Sequence, residues 1–208
     1  MHRALAVPLL PLFLTTGALA QRVPPLNIAG DIGMAIPLGA FDSDGASAGR
    51  SLGASASLRL TRVFGIYASL ERTSFPVSQT ARAPGDGTWT DLGVGGGVRL
   101  WGPPGIKGRV HPWAQLGIGR HNVDAPIADP QYSVLDTKGI LTIEGGAGID
   151  IALGPGRIWY ARPIVRYRSY SFSVHAPAAS ATNRISYFAI GIGLVLAVGP
   201  GAQPVSAR

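Results

Sequence analysis

Hydrophobic and polar residues alternate along most of this chain, most clearly over residues 139–168. Leu141 and Ile143 alternate with Thr142 and Glu144, and the alternation returns from Trp159 after a Gly-Pro-Gly break. A spacing of two places successive side chains on opposite faces of an extended segment, which is typical of a β-strand. Two such runs separated by turn residues predict a β-hairpin.

The same alternation predicts a series of strands before and after this hairpin. The predicted strands cover residues 27–38, 50–60, 64–73, 90–100, 110–119, 141–153, 159–168 and 187–196. Long loops at about 39–49, 75–87, 122–138 and 174–183 alternate with shorter turns. Consecutive strands of a meander reverse direction, so all long loops lie at one end. The pattern predicts an all-β fold, an eight-stranded antiparallel up-and-down barrel.

The two faces of the predicted strands differ in composition. The apolar face of the 139–168 hairpin carries no charge, whereas its other face mixes acids and arginines with glycine and alanine. Small residues suit a crowded, closed interior better than a water-exposed surface. We therefore expect the apolar face to lie outside, in lipid. A soluble, lipocalin-like periplasmic barrel would have the opposite arrangement, and it stays a lower alternative.

Acidic and basic residues are matched in number on the inward face. Unpaired charges in a low-dielectric interior are costly, so matched carboxylates and guanidinium groups predict an internal ion-pair network. Its predicted members are Asp31, Arg59, Glu71, Asp91, Arg99, Glu144, Asp150, Arg162, Arg166 and Arg168. His111 and His121 share the inward face and are expected to join the hydrogen bonds of this network rather than bind metal.

Aromatic residues lie near both ends of the predicted strands, as in the two aromatic belts of membrane barrels. The predicted belts are Phe64, Trp101, Trp113 and Trp159 beside the short turns, and Phe75, Trp89, Tyr170 and Phe172 beside the long loops. Trp101 and Trp113 have inward parity. Either a bulge turns them outward or they plug the end of the barrel that carries the short turns.

The N-terminal residues have the features of a signal peptide. A basic residue at Arg3 precedes the apolar run 4–14, and residues 18–20 read Ala-Leu-Ala. This pattern predicts cleavage after Ala20. We therefore expect a signal peptide over residues 1–20, an outer-membrane β-barrel over 21–198 and a short tail over 199–208.

Composition narrows the functional classes. The chain of 208 residues has no cysteine, which excludes disulfides, thiol chemistry, zinc–thiolate sites and a lipid anchor on cysteine. The net charge of +7 comes from arginines scattered singly through the strands. Such scattered charge argues against a nucleic-acid partner.

With its strand count, alternation, loop asymmetry and leader, the chain resembles the small eight-stranded outer-membrane β-barrels of the OmpA/OmpX type. Gly191, Gly193, Leu196 and Val198 are similar in spacing to the assembly signal of such barrels. The resemblance implies a location in the outer membrane of a Gram-negative bacterium, among lipid and lipopolysaccharide. It also implies contact with the barrel-assembly machinery, and a structural or surface-interaction role, through exposed loops, without cofactor or enzymatic activity.

Two other functions stay open on the sequence alone. His175 lies near Ser171 and Ser173 at the rim of the last hairpin, as a lipid-modifying acyl hydrolase or transferase would require. However, no acidic residue nearby in the chain would orient the histidine. A narrow small-solute channel is the other alternative, although eight strands leave space only for side chains.

The loops contain acidic residues that could bind divalent cations. Residues 42–45, Asp-Ser-Asp-Gly, look like the start of a calcium loop, but the closing glutamate is absent. Asp124, Asp129 and Asp136 are the acidic residues of the longest loop. We expect solvated loops at both places and no metal site.

Overall fold

A computed structural model describes residues 26–39, 46–77, 87–106, 108–124, 133–135, 139–155, 157–176 and 179–199. The strands are β1 Leu26–Leu38, β2 Gly49–Arg59, β3 Phe64–Val77, β4 Gly87–Trp101, β5 Val110–Asp124, β6 Ser133–Leu135, β7 Ile140–Leu153, β8 Trp159–Ala176 and β9 Ala179–Val198. Within these ranges no helix is long and apolar enough to cross a membrane.

The strands form one closed antiparallel barrel. Each barrel strand pairs with the next one in the chain, β6 being passed over between β5 and β7. The barrel closes between the first and last strands, with Leu26 opposite Val198 and Leu38 opposite Ser186. β6 stays outside this circuit and pairs only with the far end of β8. The predicted eight-stranded up-and-down barrel is thereby confirmed.

The connections at one end of the barrel are short. In the turn between β2 and β3, the backbone N–H of Phe64 donates to Thr61 Oγ1 at 3.0 Å. β7 and β8 are joined by residues 154–158, where Gly154 takes a φ of +83°, a conformation that favours glycine. The longer turn 102–109 also lies at this end, which we call the turn end. The opposite end is the loop end.

The last hairpin differs from the prediction at the loop end. The predicted loop 174–183 is wrong, because β8 continues to Ala176 and β9 begins at Ala179. Pairing extends to Ala176 opposite Ala179, and Ser133 of β6 pairs with His175. Continued pairing satisfies the backbone donors and acceptors of this segment. β6 and the paired ends of β8 and β9 thus form a three-stranded extension, the rim ribbon.

The side chains follow the predicted division into two faces. Exposed apolar residues cover the outer wall on every barrel strand, with Leu141 66% and Ile32 62% exposed. The interior instead contains charged, polar and aromatic residues, including Arg99 and Arg168, both 1% exposed. A barrel that is apolar outside and polar inside is inverted relative to a soluble one.

Glycine makes room for the large inward side chains. A Cβ atom on Gly93 would overlap the ring of His121, its register partner on β5. A Cβ atom on Gly148 would likewise overlap the indole of Trp113. Gly53 is opposite Asp31 and leaves space for its carboxylate. The chain contains 29 glycines, and those on the inward face allow a narrow barrel to hold bulky groups.

Candidate functional site in the charged interior of the barrel

The middle of the interior holds a cluster of two arginines and three carboxylates, the central cluster. Arg166 Nη1 donates to Asp31 Oδ1 at 2.9 Å, and its Nη2 donates to Oδ2 at 2.6 Å. Arg166 Nη1 also donates to Glu71 Oε2. Arg168 donates to both oxygens of Glu71 and, through Nε, to Glu144 at 3.4 Å. Glu71 therefore lies between two guanidinium groups.

Hydroxyl groups complete the coordination of these carboxylates. Ser51 and Thr73 donate to Glu71 Oε1 at 3.0 and 3.2 Å. Tyr67 donates its phenolic hydrogen to Glu144 Oε1 at 2.6 Å from across the interior. Several accepted hydrogen bonds offset much of the free-energy cost of burying a carboxylate away from water. The cluster is thus a packed, hydrogen-bonded unit.

Toward the loop end, Asp91 forms a separate group with two tyrosines and a histidine. Its Oδ2 accepts from the hydroxyls of Tyr170 and Tyr187, both at 2.9 Å, and its Oδ1 lies 2.6 Å from His121 Nδ1. The His121 ring stacks on Tyr170 at a centroid distance of 5.5 Å. The predicted pairing of Asp91 with the arginines is corrected, because its partners are two tyrosines and a histidine, and among the described residues it forms no salt bridge with an arginine.

Toward the turn end, arginines outnumber carboxylates and lie on tryptophan rings. Arg162 binds Asp150 through Nε at 2.6 Å and Nη2 at 3.1 Å, and Trp113 Nε1 donates to the same carboxylate at 3.1 Å. The Arg99 guanidinium lies 4.2 Å from the Trp113 ring centroid. It donates to Gln115 Oε1 at 2.6 Å and to Ser57 Oγ at 3.2 Å.

Arg99 and Arg59 therefore depart from the predicted ion pairs. Within the described part of the chain, neither forms a salt bridge, since an amide and π-faces are their near neighbours. Arg59 lies 4.4 Å above Trp101, and its Nε makes no hydrogen bond to the described residues. His111 also lies at this end, edge-on to Tyr160 at 6.1 Å.

Most of the predicted aromatic belt faces the interior. Phe75 and Tyr170 are 0% and 3% exposed and pack with Tyr187 in an internal apolar cluster at the loop end. Trp89 packs against the same cluster. The prediction that Phe75, Trp89 and Tyr170 face lipid is wrong, because each has the parity of the inward face and the ladder runs through them without a bulge.

At the turn end, some of the predicted belt residues face the interior and others lie on the outer wall. Trp101 and Trp113 are register partners and each is 3% exposed, so they fill the interior, and no bulge turns them outward. Trp159 is 41% exposed on the outer wall, and Phe64 lies there partly exposed. The side chain of Phe172 is outside the described residues.

Other predicted residues lie apart from the interior clusters. Gly191, Gly193, Leu196 and Val198 belong to β9, where Val198 ends the strand. Asp124 is exposed at the end of β5. Ser173 and His175 are described only through their backbone pairing in the rim ribbon. Residues 1–20, 42–45, 129, 136 and 200–208 are outside the described residues. In the described ranges no group of three or more histidine, cysteine, aspartate or glutamate residues could hold a metal.

Sequence reasoning missed the neutral partners of the charges. The signal that could identify these partners is their position on the inward face of the strands. It is shared by Ser51, Ser57, Tyr67, Thr73 and Gln115. Alternation gives the face of a residue, but the tilt of the strands determines which side chains meet across the interior. The geometry produces a closed, layered polar core rather than a site open to solvent.

A closed barrel with an apolar outer wall and a charged interior is the fold of small bacterial outer-membrane β-barrels. Neisserial surface protein A superposes with a TM-score of 0.54 at 16% identity, covering 82% of this chain and 96% of that one. OprG from Pseudomonas aeruginosa superposes with a TM-score of 0.56 at 14% identity, covering 84% of this chain and 97% of that one. AlkL, solved in DMPC bilayers, superposes with a TM-score of 0.52 at 10% identity, covering 100% of both chains. Neither the family models nor the curated proteins compared with the chain give a match.

Proposed function

We propose that this protein is an integral outer-membrane barrel with a structural or surface-interaction role and a plugged lumen. The observation that supports this proposal most directly is the combination of an apolar wall with a charged interior whose side chains are buried. Arg99, Arg162 and Arg168 are each 1% exposed, and Arg166 is 4% exposed. Water in a continuous pore would contact the side chains that line it. These four arginines, two at the turn end and two in the central cluster, are instead enclosed by their partners.

The interior clusters supply the structural part of the role. The buried charges of the central cluster depend on one another, because removing one partner from a buried ion pair leaves an unpaired charge at a cost of about 3–5 kcal/mol. Because the clusters join β1, β3, β7 and β8, they connect opposite sides of the wall. A barrel braced in this way is a rigid support for whatever its loops contact.

The loop end supplies the interaction part. The rim ribbon extends β8 and β9 beyond the barrel rim, and β6 adds a third strand to it. In the proposed orientation this end is outside the cell and the turn end is periplasmic. The proposed partners are outer-membrane lipid and lipopolysaccharide, the barrel-assembly machinery during biogenesis and an extracellular ligand at the loops. Export would follow cleavage after Ala20.

The first experiment combines cell fractionation with gel migration of detergent-extracted protein before and after boiling. Recovery in the outer membrane with a heat-dependent shift in mobility is the expected result, because a closed barrel resists detergent until heated. A soluble periplasmic protein without a shift would overturn the proposal.

A second experiment tests the plug by conductance in planar bilayers. The wild-type protein is expected to give no unitary ion current. Removing a guanidinium from the central cluster with Arg166→Ala gives a barrel in which part of the plug is missing. Wild-type current that changes with this substitution would establish a channel and contradict the plugged lumen.

A further inference from the structure

We propose that the outer wall across β9, β1, β2 and β3 binds a membrane lipid whose headgroup is an anionic phosphate without a compensating positive charge. The acyl chains lie against the wall and the phosphate is held by Arg50 and Arg72. This inference rests on the proposed membrane-spanning barrel, and it concerns a specific binding site on that barrel rather than its general contact with lipid.

A shallow hollow that is open to the outside provides the place for acyl chains on this side of the wall. It has a volume of about 670 Å³. Its lining is mostly apolar and includes Ile32, Met34, Leu52, Ile190 and Ile192 together with Arg50 and Arg72. Gly33 and Gly191 are register partners whose backbones approach so closely that a Cβ on either would overlap the other strand.

Two arginines lie at one end of this hollow. Arg50 and Arg72 are both exposed on the outer face. Arg50 is opposite Ser74, and Arg72 is opposite Leu52, so the two arginines are diagonal neighbours on adjacent strands. Such positions are about 7–8 Å apart, a distance that two long side chains converging on one phosphate can span. Ser74 adds a hydroxyl beside them.

The position of the arginines along the strands matches the headgroup level. On β3 the outward residues are apolar up to Leu70, and Arg72 comes next. On β2 Leu52 is the last apolar outward residue before Arg50 at the loop end. On β2 and β3 both guanidinium groups therefore lie at the loop-side limit of the apolar outward residues, and this is where the proposal puts the lipid phosphate.

No carboxylate on the described wall neutralises this pair. The register neighbours of Arg50 are Met34 and Ser74, and those of Arg72 are Leu52 and Leu92. Neither arginine forms a salt bridge with another described residue. Two adjacent, uncompensated guanidinium groups beside an apolar hollow are complementary to an anionic phosphate attached to acyl chains.

Other outward arginines offer matched comparisons. Arg184 is already engaged, since its Nε donates to Ser169 Oγ at 3.0 Å. Arg120 shares its outward face with Asp124 on the same strand and lies outside the hollow. Among these arginines, Arg50 and Arg72 are the two that are adjacent on neighbouring strands, line the hollow and form no salt bridge with a described residue.

The test is a lipid titration of the folded barrel in detergent, followed by native mass spectrometry. The probes are phosphatidic acid, phosphatidylcholine with the same chains, and inorganic phosphate. We expect saturable binding of phosphatidic acid, weaker binding of phosphatidylcholine and none of inorganic phosphate at equal concentration. The double variant Arg50→Gln/Arg72→Gln should lose about tenfold or more in affinity for phosphatidic acid, whereas Arg120→Gln should match the wild type.

Each result has a defined meaning. Equal binding of the two phospholipids, binding of inorganic phosphate alone, or the same loss in Arg120→Gln would overturn this inference. The heat-dependent mobility shift is measured on every variant. A folded barrel without lipid preference contradicts only the lipid site, whereas a wild-type chain that shows no shift contradicts the proposed membrane barrel itself. If the double variant does not fold, Arg50→Gln and Arg72→Gln are measured singly, and unchanged affinity in both would also overturn the inference.

Discussion

Arg168 and Glu71 are 97 residues apart in the chain and form a two-point pair inside the barrel. Arg168 Nη2 donates to Glu71 Oε2 at 2.8 Å, and Nη1 donates to Oε1. Both side chains are 2% exposed. The two parallel hydrogen bonds fix direction as well as distance. The pair therefore holds β8 against β3 across the interior, between strands that share no ladder.

The substitution Glu71→Gln is expected to destabilise the barrel strongly. It removes the carboxylate that Arg166 and Arg168 share, although Asp31 still pairs with Arg166 and Glu144 with Arg168. Losing a buried hydrogen bond to a charged group costs about 1.5–3 kcal/mol. The measurement is urea unfolding in lipid vesicles, monitored by tryptophan fluorescence. Asp124→Asn removes an exposed carboxylate and is the control. Equal stability of the two variants would contradict the role given to Glu71.

The substitution Gly33→Ala is expected to impair closure between β1 and β9. A Cβ at this position would overlap the backbone of β9 at Ile190 and Gly191, which other side chains cannot relieve. Gly30→Ala on the same strand is the matched control, since its Cβ would meet only Gly53 O, at 3.9 Å. The fraction showing the heat-dependent mobility shift after refolding measures closure. It should fall for Gly33→Ala and stay unchanged for Gly30→Ala.

The substitution Tyr170→Phe removes one of two phenolic donors to Asp91 and should cost about 1–3 kcal/mol, the usual loss when a buried charged acceptor loses a partner. The same change in an Asp91→Asn background should cost less, because the neutral amide gains less from the hydroxyl. A double-mutant cycle of unfolding free energies gives the interaction free energy between the Tyr170 hydroxyl and the Asp91 carboxylate. Additive effects would show that the hydroxyl and Asp91 do not interact.

Lipids with bromine on their acyl chains should quench the fluorescence of Trp159 but not that of Trp101 or Trp113. Quenching needs close approach of the bromine to the indole, and Trp159 is 41% exposed on the outer wall whereas the other two are 3% exposed inside. The chain has four tryptophans, so variants that keep one each report on single positions. Strong quenching of Trp113 in an otherwise folded barrel would place it in lipid and contradict the internal plug.

The sequence predicted the fold and the face of each strand residue well, because a period of two reports directly on burial. It failed where partners are determined by the register between neighbouring strands. Arg99 has an inward position like Arg162, yet it meets Gln115 whereas Arg162 meets Asp150. Only the stagger of neighbouring strands decides between these outcomes, and no local pattern encodes that stagger.

The aromatic residues show a second limit of the sequence. Phe75 and Tyr170 lie near strand ends, and belts are common there, but parity already placed both inside. The predicted loop 174–183 failed for a different reason. Small polar residues are typical of loops, yet the paired backbone of β8 and β9 continues through them to Ala176 and Ala179.

The glycines opposite bulky inward side chains also constrain how this barrel can evolve. Gly93 tolerates no Cβ while His121 fills the space above it, and a smaller residue at 121 would lift that restriction. Gly148 is restricted in a different way, because a Cβ there would overlap the backbone oxygen of Pro163 at 2.8 Å as well as the indole of Trp113. At position 93 a change that is harmful alone becomes neutral after its counterpart has changed, which is epistasis. Aligned descendants of this sequence should therefore show linked exchanges at positions 93 and 121, with the change at 121 first, and a glycine retained at 148.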